Sequence, residues 1–208
     1  RNMENIRTSD SPYRFARLKE LISENLPIDT SKAASILRNR KGVGEAELGL
    51  ANEMAINQFI AHHSVIFQPE KKRMWVSTAP WQCGKYVAYD LNRIFSDSID
   101  FNHEIYTENL TVPADSFLQQ QEYQQLMTYK RLAPVLRKQI KKKERLDEQT
   151  LHAFQHANPH FFYVYELLGD YYHATGQQDK ALRNWKKALL LPIPKRSESE
   201  RIEHKINN

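Results

Sequence analysis

Four sets of side chains in this sequence have the types and spacing for chemistry. Cys83 is the only cysteine, so no intrachain disulfide and no multi-thiolate metal site can form. A thiol nucleophile needs a lowered pKa, and in Trp81-Gln82-Cys83-Gly84-Lys85 only Lys85 would act in that direction. A packed or partly exposed bystander is the better expectation. His62 and His63 are neighbours, and strand alternation would send them to opposite faces of a sheet. His152, His156 and His160 lie four apart, the spacing that sets two imidazoles on one helical face for zinc. Asn158-Pro159 should end that helix before His160, and no carboxylate or thiolate completes the set, so no metal is expected. Arg137, Lys138, Lys141, Lys142, Lys143 and Arg145 form a basic run that offers phosphate or anionic lipid a positive surface. Glu144, Asp147 and Glu148 follow at once, and no aromatics are interleaved to stack on bases. A solvated helix face is expected there, with no nucleic-acid partner.

The elements that must position these residues divide the chain in two. Among 208 residues, 40% are hydrophobic and 26% charged, as in a folded globular chain, and the formal charge is +5. Helices are expected from about Pro12 to Glu24, with Ser11 as its cap, and around Ala33 to Leu37 after the Asp29-Thr30-Ser31 cap. Residues 39–50 read as a loop. Residues 57–67 and Met74 to Thr78 read as antiparallel strands joined by a hairpin at Gln68 to Lys72, and Tyr86 to Phe95 resumes the aromatic and aliphatic pattern. This first half, residues 1–106, is α+β. Residues 107–208 read as all-α, with Pro134 expected to kink or divide the helix over 114–145. The last dozen residues, from Ser197, are polar and expected to fray. No apolar run approaches the ~20 residues that a membrane span needs. Arg1 to Leu21 is not laid out as a signal peptide, and the chain does not begin with Met, so an upstream segment, with any targeting signal, is expected to have been removed. The compartment stays open between periplasm or cell envelope and cytoplasm.

Within residues 161–191, Tyr165, Leu168, Gly169, Tyr172, Ala181, Trp185 and Ala188, with Gly176 at the turn, resemble one tetratricopeptide repeat. Small residues at Gly169, Ala181 and Ala188 let two antiparallel helices approach, and Tyr172 and Trp185 fill the space between them. One repeat cannot bury its open face alone, so packing within the chain is expected.

The first half carries a second resemblance. Ser9 to Leu18, Ala33 to Arg38, His63-Ser64-Val65-Ile66-Phe67 and Met74 to Gly84, in that order and spacing, resemble the C-terminal half of the penicillin acyltransferase family, related to the choloylglycine hydrolases among N-terminal-nucleophile (Ntn) hydrolases. The resemblance implies the C-terminal half of an αββα sandwich. It implies a precursor that cleaves itself before a cysteine, which then attacks a linear, non-peptide amide with its own α-amine as base. No cofactor is implied. Arg14 matches the family's arginine near the nucleophile, where its guanidinium fork would hold a carboxylate or developing negative charge. Phe15 and His63 are the accompanying substrate-binding candidates. The nucleophile, the rest of the sheet and the aspartate and asparagine partners would lie upstream, so this chain alone should not turn over substrate. Its partners would be the upstream part of the same precursor and a small amide substrate. The alternative is a non-catalytic helical module that binds a protein through the hairpin. An unpaired edge or face on the sheet carrying Val65 and Val76 would favour the enzyme, and a closed sheet the module.

Overall fold

The computed structural model describes residues 9–96, 100 and 102–207. Helix α1 (Ser11–Glu24) takes Asp10, not Ser11, as its N-cap, and that carboxylate makes no capping bond. Helix α2 (Thr30–Leu37) is capped as expected by Asp29, whose carboxylate accepts from the Lys32 amide at 2.8 Å. Strands β1 (Val65–Gln68), β2 (Arg73–Ser77) and β3 (Tyr86–Asp90) form an antiparallel sheet in that order, pairing Val65 with Val76 and Val76 with Val87. A short helix α3 (Leu91–Ile94) follows. The second half holds α4 (Gln121–Lys142), α5 (Glu148–Ala157), α6 (Phe162–Ala174), α7 (Gln178–Leu189) and α8 (Arg196–Asn207). The whole is a mixed α+β fold with a small antiparallel sheet and several helices.

Three expectations about elements are corrected. Residues 57–64 are not strand: the Asn57 side chain accepts from the Phe59 amide at 3.1 Å and turns the chain, and Phe59 takes φ 53°. Helix α4 runs unbroken through Pro134. Its Leu126, Tyr129, Leu132, Ala133 and Leu136 are buried, and that burial offsets the ~3 kcal/mol cost of an interior proline. The polar tail is helix α8 rather than a frayed end, because Ile202 is fully buried and two of its cations reach α6.

Two cores result. The larger joins α4 to α8 and reaches into the first half through Phe59 and Cys83. At the centre of the α6–α7 hairpin, Gly169 lies against the Trp185 indole, whose Nε1 donates to Asp170 at 3.0 Å. Gly176 takes φ +77° at the turn between the two helices. Helix α8 clasps this hairpin: Arg201 donates to both oxygens of buried Glu166 at 2.8 Å, and Lys205 bridges Glu166 and Asp170. The smaller core lies between α2 and the sheet and contains Ala34, Trp75, Tyr86, Ala88 and Val112.

Candidate functional site

Strand alternation assigns each residue of the sheet to one face. Ile66, Trp75, Tyr86 and Ala88 face α2 and belong to the smaller core. Val65, Phe67, Met74, Val76, Val87 and Tyr89 form the other face, and neither core includes any of them. Phe67 is 66% exposed. At the hairpin end of the sheet, Phe67 and Phe95, itself 81% exposed, help to line a cavity of about 580 Å³. The edges differ too. The outer edge of β3 is covered by residues 107–112, with Tyr86 and Val112 exchanging two backbone bonds at 3.0 Å, whereas among the described residues no strand pairs with the outer edge of β1. The signal for this was in the sequence: Val65-Ile66-Phe67 and Met74-Trp75-Val76 are apolar at consecutive positions, the pattern of strands covered on both faces.

Arg14 lies on α1 beside a cluster of charges. Its Nη1 donates to the Glu53 carbonyl, and its guanidinium stands 3.9 Å from the Asp10 carboxylate. Glu53 pairs in turn with Lys195, so the start of α1, the loop at 53 and the lead into α8 meet at one point. Burial pushes the Asp10 carboxyl above its usual range, and the negative charge of Glu53 adds to this. Burial also raises Glu198. Glu53 and Glu198, with Phe161 and Tyr163, line a cavity of about 210 Å³. Sequence reasoning missed this cluster, since Glu53 and Lys195 are 142 residues apart. It also missed Arg17, which is 1% exposed, pairs with Glu20 on the same helix and fastens α1 to Asn39 and Glu45.

The other candidates separate. Phe15 is 60% exposed with the Lys19 ammonium 5.0 Å over its ring. His62 and His63 are both exposed in the irregular stretch before β1, not on opposite faces of a strand. Among the described residues no hydrogen bond, ion pair or ring contact joins His63 to Arg14 or Phe15. Cys83 is fully buried, its sulfur accepts from Asn57 at 3.4 Å, and burial raises its pKa, the opposite of an activated thiol. His152 and His156 stack with ring centroids 3.8 Å apart, and His156 Nδ1 donates to the His152 carbonyl at 2.9 Å. His160 lies beyond the end of α5, and no group of three metal-ligating side chains occurs among the described residues. The basic run at the end of α4 is exposed throughout. No helix among the described residues is long and apolar enough to cross a membrane.

Comparison of the chain with protein-family models, with curated proteins and with solved structures found no match.

Proposed function

We propose that this chain is the C-terminal portion of a cysteine-type Ntn amidohydrolase or acyltransferase acting on linear, non-peptide amide bonds, with the nucleophile supplied by an upstream part of the same precursor. The observation that carries this reading is the bare apolar face of the sheet. In an αββα sandwich each sheet has helices on one face and the other sheet on the second. Here α2 covers one face, the second face is apolar, joins neither core and leaves Phe67 exposed, and among the described residues no strand pairs with the β1 edge. The upstream half would supply the missing sheet, the cysteine and most of the pocket. Arg14, held on α1 by Glu53 and Asp10, would then present its remaining donors to the carboxylate or oxyanion of the substrate.

The α6–α7 hairpin is read as a tetratricopeptide-like unit that caps the enzyme. Its packing against α4 and α8 counts against the rival interaction module, because the faces that such a module would offer are occupied by this chain's own helices. The test is expression of the complete reading frame. An internal cysteine at a self-cleavage point upstream of Arg1 is expected, and its replacement by Ala should abolish both processing and amide hydrolysis. A native product that starts within a few residues of Arg1, with no upstream cysteine, would remove the nucleophile and overturn the reading.

A further inference from the structure

Arg38, Arg40 and Lys41 follow α2 directly and line a mainly polar cavity of about 430 Å³ together with Ser35, Asp115 and Ser116. Of its three cations Arg40 pairs with Asp115 and Lys41 with Glu47, which leaves the charge of Arg38 as the excess on its walls. Arg38 is the fixed point. Its Nη2 donates to the carbonyls of Gly84 at 2.7 Å and Pro113 at 2.8 Å, its Nε to that of Gln82 at 3.4 Å, and its guanidinium lies 5.0 Å over the Tyr86 ring. All of these partners are neutral, and among the described residues no carboxylate stands within ion-pair distance of Arg38. Its charge is uncompensated and its orientation set in advance, the arrangement that lowers the entropy cost of binding an oxyanion.

Arg40 stands beside it. One of its Nη atoms meets Asp115 at 2.7 Å, and its guanidinium lies 4.2 Å over the Phe117 ring. Arg40 and Lys41 also line a neighbouring cavity of about 480 Å³ whose walls include Leu50, Phe117 and Pro159 and the carboxylates of Glu122 and of Glu47, the latter paired with Lys41. A positive chamber and a partly apolar one therefore share two basic side chains.

We propose that these two cavities form one site for a small organic anion, with a carboxylate or phosphate head against Arg38, Arg40 and Lys41 and its body along Phe117, Leu50 and Pro159. The site uses residues of this chain alone and stands apart from the bare sheet face, so it does not depend on the amidohydrolase reading.

Calorimetric titration of the chain with inorganic phosphate, and separately with phenylacetate, tests it. Saturable binding of at least one is expected, and the tighter ligand identifies the head group. The double variant Arg40→Gln/Lys41→Gln should weaken that binding about tenfold, as loss of charge-assisted bonds requires. The control Lys138→Gln/Lys141→Gln, in the exposed run on α4, should leave it unchanged. If the double variant loses its near-ultraviolet circular dichroism, Lys41→Gln alone carries the test, since its ammonium is partly exposed and pairs with Glu47. Absence of saturable binding of both ligands, or a loss in the control as large as in the test variant, overturns the proposal.

Discussion

The helical half and the sheet solve the same problem to different degrees. Each helix from α4 to α8 has its apolar stripe covered by another helix, and even polar α8 is fastened through Ile202, Arg201 and Lys205. The sheet has equally apolar strands but only one cover, α2. The helical half leaves Leu190 exposed at its margin, whereas on the sheet Phe67 is exposed and Val76 and Val87 are only half-buried, and the proposed function assigns that face to an upstream half.

Mutations should expose this difference directly. Phe154 is fully buried and stacks on Tyr129 at 5.7 Å, so Phe154→Ala should cost about 4 kcal/mol in urea unfolding of the chain. Phe67→Ala on the bare face should change stability by less than about 0.5 kcal/mol. Equal losses at the two sites would mean that the sheet face is already covered.

The clasp between α6 and α8 comes next. Glu166→Gln removes the charge that Arg201 and Lys205 share and should cost about 3 kcal/mol. Gly169→Val would drive a side chain into the Trp185 indole and should cost about 2 kcal/mol by the same assay. Loss of less than half a kilocalorie in either variant would show the hairpin to be looser than its packing implies.

The smallest effect is one of sign. Burial pushes the Glu166 carboxyl up, but its bonds to Arg201 and Lys205 outweigh this and hold it below its ordinary value of 4.5. Its contribution is therefore present above that value and is lost as pH falls through the lower folded one. Asp10 is raised above 3.8, chiefly by burial, so its contribution is present below 3.8 and is lost as pH rises through the folded value. Asp10→Asn should accordingly stabilise the chain at neutral pH and lose that advantage in acid, whereas Glu166→Gln should destabilise most at neutral pH. Melting temperatures from pH 3 to 8 separate the two; parallel profiles would refute the opposite signs.

Much of the fold was legible from periodicity, as in α1, and from end signals, as in the Asp29 cap of α2 and the Gly176 turn. What was not legible depends on distant partners. Ile202 looks isolated in a polar tail until α6 supplies Glu166 and Asp170. Pro134 reads as a break until the neighbours of α4 are known. Asn57 hides in an apolar run whose strand pattern it interrupts with one hydrogen bond. For the candidate site, Arg14 and the doubly apolar strands stood in the sequence. Its company of Asp10, Glu53 and Lys195, and the carbonyl cradle of Arg38, are products of tertiary folding alone.

The most direct test is hydrogen exchange at β1 and β2, measured on the chain alone and on the chain co-expressed with whatever segment its reading frame proves to encode upstream of Arg1. Docking of an upstream half on the bare face should protect the outer-edge amides of β1 only in the co-expressed complex, and Val76→Asp should abolish that protection. Unchanged exchange at β1 in the presence of the upstream segment would contradict the reading of this sheet as half of a sandwich.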